Sequence, residues 1–276
     1  MNKKLIFLDI DGTLTIPGSN EPPESALTAI RAAQKKGHKV FLCTGRNPDM
    51  LSPLLKYNFD GFIGCAGGYV VSGDQVLFDC PMTEEQRVTA LTILKESGVF
   101  RTLEAKDGSF CDENLADLLS GVTEGNSELL RWRKAIESDL GIRPMSEYDD
   151  RPIYKVVFMC ERPEQLEPAK AALGEQFNFV VQDAFRFSGI LNGEMINKCF
   201  DKGTAVRLVA DKLGFDMADT IGFGDSMNDK EMIEVVGTSV CMDNGSPTLK
   251  AMSDMVCPAV SEDGMAKAFA DLGLTD

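Results

Sequence analysis

Leu5-Ile6-Phe7-Leu8-Asp9-Ile10-Asp11-Gly12-Thr13 joins an unbroken apolar run to two carboxylates. Such a run reads as a strand buried on both faces, as in a parallel sheet. Open α/β sheets keep their ligands outside the carboxyl ends of their strands, where Asp9 and Asp11 fall. Gly12 permits a sharp turn, so both acids can stay near one point. Two carboxylates in one pocket repel and need a shared proton or a cation. The stretch is a candidate phosphoryl-transfer site with an aspartate nucleophile and a bound metal.

Working outward, the same rhythm of strand and helix continues through the first third of the chain. Glu24–Lys36 has helical spacing of Ala26, Leu27, Ile30 and Ala33, with Pro22-Pro23 before it and Gly37 after it. Lys39–Cys43 predicts a second buried strand, Pro48–Tyr57 a helix and Phe62–Cys65 a third strand. Val70–Val71 and Gln75–Phe78 form a hairpin around Ser72-Gly73-Asp74. The middle of the chain mixes hairpins with helices. Helices are expected over Glu84–Ser97, Ser127–Asp139 and Pro163–Gln176. Strands are expected at Val99–Leu103, Ser109–Cys111 and, within Pro152–Met159, at Tyr154–Phe158, with extended segments at Phe179–Gln182 and Phe185–Ser188. From Asp201 the first rhythm returns: helix Asp201–Leu213, strand Thr220–Phe223, helix Lys230–Val235, strand Ser239–Met242 and helix Ser261–Leu272. The pattern is an α/β domain (1–80 and 190–276) interrupted by an α+β insertion (81–189).

The 276 residues are 43% hydrophobic, enough for a sizeable core. A formal net charge of −15 argues against nucleic acid and anionic membrane as partners. An anionic substrate would then need local positive charge. The eight cysteines are scattered, with no CxxC pair, and no disulfide framework is expected. The N-terminal apolar stretch is too short for a signal peptide, and no run approaches a membrane span. A reducing cytoplasm is the expected location, and the Asn244-Gly245-Ser246 sequon is discounted accordingly. The one histidine, His38, is expected at the surface or at a helix cap, which leaves acid–base chemistry to carboxylates and lysine.

Three polar clusters follow three buried strands: Asp9–Thr13, Thr44–Arg46 and Gly224–Asp229. A parallel sheet brings such strand ends to one edge. Asp9 can attack phosphorus as an oxygen nucleophile. Asp11 can give a proton to the leaving oxygen and later take one from water. Asp225 and Asp229 add two more acids, and this concentration of charge calls for Mg2+ and its hard oxygen ligands. Thr44 offers a hydroxyl, Gly45 a backbone N–H and Lys202 a compact positive charge, all suited to phosphate oxygens. An EF-hand does not fit, because Thr13 stands where its third acid belongs.

These clusters resemble the motifs of the haloacid dehalogenase-like hydrolase superfamily, in particular Cof-type phosphatases with a large α/β cap. Asp9-Ile10-Asp11-Gly12-Thr13 is similar to the first motif, Thr44-Gly45-Arg46 to the second, Lys202-Gly203 to the third, and Gly224-Asp225-Ser226-Met227-Asn228-Asp229 to the fourth. The resemblance implies a Rossmann-like core with the insertion as a specificity cap. It implies Mg2+ held by the Asp9 side chain, the Asp11 main-chain carbonyl and Asp225, with Asp229 acting through water. Asp9 would be the nucleophile and Asp11 the general acid and base. Thr44, Gly45 and Lys202 would bind the phosphoryl group, and Asn228 would position the phosphate or Lys202. One departure stands out: relatives often carry Asn-Gly-Ala after the third core strand, where this chain has Cys65-Ala66-Gly67-Gly68.

The expected activity is hydrolysis of a small phosphorylated metabolite, a sugar phosphate first, by a monomer or small homo-oligomer. The alternatives are a phosphomutase of the same superfamily or a silent binding protein on the same scaffold. Arg101, Glu104, Lys106, Arg186 and Ser188 are candidate pocket residues in the insertion. Arg131, Trp132 and Arg133 read as a helix surface with one buried ring.

Overall fold

The computed structural model describes residues 2–113, 142–182 and 190–275. The expected helix at Ser127–Asp139, the extended Phe185–Ser188 segment, and Arg131, Trp132, Arg133, Arg186 and Ser188 lie outside the described residues. Clustering of contacts separates two compact units. One comprises Met1–Arg46, Leu51–Asp79 and Phe200–Asp276; the other comprises Asn47–Met50 and Cys80–Cys199.

In chain order the strands are β1 (Leu5–Leu8), β2 (Lys39–Cys43), β3 (Gly61–Gly64), β4 (Tyr69–Ser72) and β5 (Gln75–Asp79). The second unit supplies β6 (Phe100–Ala105), β7 (Gly108–Cys111), β8 (Ile142–Pro144), β9 (Ile153–Cys160), β10 (Phe177–Gln182) and β11 (Leu191–Asn197). The chain returns through β12 (Thr220–Gly224), β13 (Thr238–Met242) and β14 (Met255–Cys257).

The first sheet has the order β14-β13-β12-β1-β2-β3-β4-β5. Its first six members are parallel, and β4 and β5 add an antiparallel hairpin at one edge. β1 lies between β12 and β2, pairing Leu8 with Phe223 and with Leu42. All four residues of β1 are buried, as its apolar run requires. Leu5 and Phe7 join Phe41, Ile63, Val206 and Val209 in one core, which packs helix Lys202–Leu213 against that sheet face. Phe7 and Phe41 are fully buried, each contributing about 2–3 kcal/mol of hydrophobic stabilisation. Elsewhere Phe223 meets Phe269 of helix Gly264–Asp271, with ring centroids 5.4 Å apart.

The second sheet has the order β10-β11-β9-β6-β7-β8, antiparallel except for the β7–β8 pair. Its inner face packs Leu103, Val156, Phe158 and Met195 against Ala90 and Leu94 of helix Glu84–Glu96 and Ala169 and Leu173 of helix Glu167–Leu173. The architecture is thus α/β, a parallel core sheet with a separate mixed sheet inserted in the chain.

Several local outcomes differ from the sequence reading. Pro163–Gln176 is not one helix: a 3-10 turn at Pro163–Leu166 precedes the helix Glu167–Leu173. Pro168 lacks the N–H of a continuous helix and suits the first turn of a new one. His38 does serve a helix end, its N–H donating to the Ala33 carbonyl, but it is buried. Its Nδ1 accepts the Lys4 N–H at 2.8 Å, and burial together with Lys36 and Lys4 lowers its proton affinity. Among the described residues no helix is long and apolar enough to cross a membrane.

Candidate active site

β1, β2 and β12 are neighbours with a common direction, so the segments following them share one edge of the sheet. Asp9 continues β1, its N–H donating to the Phe223 carbonyl at 3.0 Å. The chain then folds back at Ile10, whose carbonyl accepts from Thr13, Leu14 and Thr15. Gly12 has φ +89°, and a Cβ there would lie 2.4 Å from Asp225 Oδ2. Glycine at this position is what lets the turn press against the fourth cluster.

Carboxylate oxygens of Asp9, Asp225 and Asp229 all lie within 4.8 Å of one another. Lys202 Nζ sits between two of these acids, 2.8 Å from Asp9 Oδ1 and 2.5 Å from Asp229 Oδ1. Lys202 is the first residue of its helix because Asp201 caps that end: its side chain accepts the Thr204 N–H, while Thr204 Oγ1 accepts the Asp201 N–H. Asp229 Oδ2 accepts the backbone N–H groups of Asp225 and Ser226 at 3.0 and 3.2 Å. Asp229 is thereby oriented by three donors while wholly buried.

The electrostatics follow from this crowding. Burial and the charge of Asp229 push Asp9 up to about 7, against the opposing pull of Lys202. Burial, Asp9 and Asp229 push Asp225 up to about 8. Burial opposes the charge on Lys202, but Asp229 and Asp9 outweigh it and hold the ammonium well above the usual lysine range. Three carboxylates around one ammonium leave excess negative charge in a buried place. Their oxygen donors are the kind a hard divalent cation selects, so the donor set fits a divalent metal site.

Arg46, quoted in a motif but given no task by the sequence, has a defined place. Its Nε donates to Asp11 Oδ2 at 2.9 Å and its Nη2 to Asp11 Oδ1 at 2.7 Å, a bidentate grip. Nη1 continues to Asn20 Oδ1 at 2.6 Å. The Asp11 carboxylate also accepts the Gly18 N–H at 3.0 Å. Its side chain is thus turned to Arg46 and Gly18, outside the three-acid cluster.

Thr44 is buried, and its Oγ1 accepts the Arg46 N–H at 3.2 Å. Gly45 is half-buried at the same strand end. Asn228 is exposed, and its amide oxygen accepts from Ser226 Oγ at 2.8 Å rather than reaching Lys202. The site as described joins Asp9, Asp225, Asp229 and Lys202 directly, with Asp11 beside them through the Gly12 turn.

Two further residues brace it. Thr13 Oγ1 donates to Asp225 Oδ1 at 3.4 Å. Asn244 Nδ2 donates to the Gly12 carbonyl at 2.8 Å, while its Oδ1 accepts the Val260 N–H. Asn244 follows β13, another parallel strand ending at the same edge, and that position was the signal that could have found it. The loop after β3 is unusual too: Cys65, Ala66 and Gly67 all have positive φ. A Cβ on Gly67 would lie 2.4 Å from the Asp201 carbonyl oxygen, so this loop packs directly behind Lys202.

Among the described pocket candidates of the insertion, Arg101 and Glu104 are engaged within the inserted unit. Arg101 grips Asp112 through Nε and Nη2 and donates from Nη1 to the Leu91 carbonyl. Glu104 is buried 3.5 Å from Lys155 Nζ, which also pairs with Glu194 at 2.5 Å. Lys106 is exposed.

The site is a buried acidic cluster with an embedded lysine at the carboxyl edge of an open parallel sheet, and its oxygen donors are consistent with a divalent metal. The haloacid dehalogenase-like hydrolase model matches residues 6–269, and the chain belongs to that family, among its capped Cof-type phosphatases. YkrA of Bacillus subtilis (strain 168), named as a phosphatase, is 32% identical over 277 residues, spanning 99% of this chain and 99% of its own length. The HMP-PP phosphatase of Yersinia pseudotuberculosis serotype O:1b is 26% identical over 253 residues, covering 90% of this chain and 86% of that protein. The solved subclass IIB sugar phosphatase BT4131 shares the fold with a TM-score of 0.75 and 23% identity, over 99% of this chain and 100% of its own.

Proposed function

We propose that this phosphatase is Mg2+-dependent and hydrolyses a small phosphorylated metabolite through an aspartyl phosphate on Asp9. The observation that carries this reading is Lys202 Nζ seated between Asp9 and Asp229, with Asp225 in the same buried cluster. Asp9, Asp225 and the Asp11 main-chain carbonyl would hold the ion, and Asp229 would support it through water. When bound, Mg2+ supplies the positive charge that lets an anionic phosphate approach an anionic nucleophile.

An Asp9 carboxylate oxygen attacks phosphorus, forming the acyl phosphate as the ester oxygen leaves. Asp11 delivers a proton to that leaving oxygen, then accepts one from the water that hydrolyses the intermediate. Both Asp11 oxygens accept from Arg46, which fixes the orientation in which Asp11 carries its proton. Lys202, the Thr44 hydroxyl and the Gly45 N–H bind the phosphoryl oxygens, and Asn228 positions the phosphate. Catalysis is then mainly positioning and charge neutralisation.

We assign substrate choice to the inserted unit. The names of two relatives specify a sugar phosphate and HMP-PP as substrates, which favours a small organic phosphate, with a sugar phosphate first. The test is hydrolysis of an aryl phosphate by the purified protein. Turnover should require Mg2+, stop with chelator, and vanish in Asp9→Asn. Unchanged turnover in Asp9→Asn would remove Asp9 as the nucleophile.

A further inference from the structure

Cys80 and Cys199 lie 119 positions apart, yet their sulfurs are 3.4 Å from each other. They are the first and last residues of the long segment of the second unit, so each marks a crossing of the chain between the units. Cys80 is half-buried and Cys199 is exposed. By contrast Cys43, Cys65, Cys160, Cys241 and Cys257 are buried. The Cys199 N–H donates to Asn197 Oδ1 at 3.0 Å, which fixes the backbone presenting its thiol. A bonded S–S distance is about 2 Å, so a small approach by one side chain completes a bridge.

We propose that Cys80 and Cys199 form a thiol-modification site that reacts with low-molecular-weight disulfides and closes into an intramolecular disulfide. The thiolate of one of the pair attacks the disulfide RSSR, giving a protein–S–S–R mixed disulfide and one RSH. The other cysteine then attacks the capped protein sulfur, expels the second RSH and leaves Cys80–S–S–Cys199. The two protein thiols are oxidised, RSSR is reduced to two RSH, and their two protons leave with those thiols. Burial and the neighbouring Cys80 sulfur push the Cys199 thiol up to about 11. Capping or removing Cys80 takes away the hydrogen bond and charge that oppose ionisation of Cys199. The finished bridge ties the outgoing chain crossing to the returning one and closes the whole insertion into a loop.

The experiment incubates the full-length protein with excess oxidised glutathione and maps its peptides without reduction. The Cys80 and Cys199 peptides should appear joined, and dithiothreitol should separate them. Cys199→Ser should retain glutathione on Cys80, and Cys80→Ser should retain it on Cys199, because in each variant the resolving thiol is gone. Closing so long a loop should raise the melting temperature of the oxidised wild type by about 5 °C, and neither serine variant should show the rise. Free thiols at both positions, or stable glutathione on both without a crosslink, would overturn the site. A crosslink with no gain in melting temperature would overturn the restraint on the insertion. The peptide readout does not depend on phosphatase activity, so it stands apart from the reading of Asp9.

Discussion

Arg46 holds Asp11 by both carboxylate oxygens, Nε to Oδ2 at 2.9 Å and Nη2 to Oδ1 at 2.7 Å. The pair joins the segments after β1 and β2, and the Arg46 guanidinium is almost wholly buried. A lysine keeps the charge but lacks the planar fork that aims the carboxylate. Arg46→Lys should therefore lower kcat by roughly tenfold or more while changing KM less. Arg46→Ala strands a largely buried carboxylate and should cost about 2–3 kcal/mol, below the range for fully buried pairs because Asp11 retains some exposure. Steady-state kinetics with an aryl phosphate and urea denaturation check the two effects. Equal kcat in wild type and Arg46→Lys would remove the positioning role.

Gly12 is limited both by its φ of +89° and by the nearness of Asp225 Oδ2 to any added Cβ. Gly12→Ala should destabilise the protein by about 3 kcal/mol, combining backbone strain with displacement of a buried carboxylate. The displaced Asp225 should also weaken stabilisation by Mg2+. Chemical denaturation with and without Mg2+ measures both. A variant as stable and as responsive as wild type would contradict the tight Gly12–Asp225 packing.

The first strand, its two acids and the Gly224–Asp229 cluster were legible in the sequence because each follows a buried apolar run. Lys202 was legible as the opening of a helix, and its partners follow from the order of the parallel strands. The grip of Arg46 on Asp11 was not legible, since it depends on the path of the Gly12–Asn20 turn. Asn244 entered the sequence reading only within a discounted sequon, although it follows a buried strand; its bond to the Gly12 carbonyl depends on the folded chain. β11 escaped notice because Asn192, Gly193 and Asn197 break its apolar alternation, although both its neighbours are strands. β8 and β14 are three residues each, too short for a period to show.

Without a cation, Asp9 and Asp225 hold their protons more tightly in the native protein, at about 7 and 8, than the ordinary carboxylate value of 3.8. The native state therefore binds more protons than the unfolded chain between about pH 4 and pH 8. Stability of the metal-free protein should fall as pH rises through that window. Metal ligation requires the unprotonated carboxylates, so the melting-temperature gain from Mg2+ should grow between about pH 6 and pH 8. Thermal melts with Mg2+ and with chelator check both slopes. A Mg2+ gain independent of pH would separate the ion from these carboxylates.

Lys202 supplies positive charge inside the cluster, within 2.8 Å of Asp9 and 2.5 Å of Asp229. Lys202→Met would leave two buried acids facing each other. The metal-free variant should lose about 3–5 kcal/mol, and Mg2+ should recover part of that loss. Denaturation midpoints in chelator and in saturating Mg2+ report the difference. Equal losses in both conditions would show that Lys202 and the ion do not share the same carboxylates.

Direct trapping of phosphorylated Asp9 tests the central claim most closely. Asp11→Asn removes the base that activates water, so the acyl phosphate should outlive its formation. After brief incubation with Mg2+ and an aryl phosphate, acid quenching and peptide mass spectrometry should find one phosphoryl group on the peptide containing Asp9. The group should be absent from the Asp9→Asn, Asp11→Asn double variant. A phosphoryl group on another residue, or substrate consumed by Asp11→Asn with no phosphorylated peptide at any time point, would contradict the account.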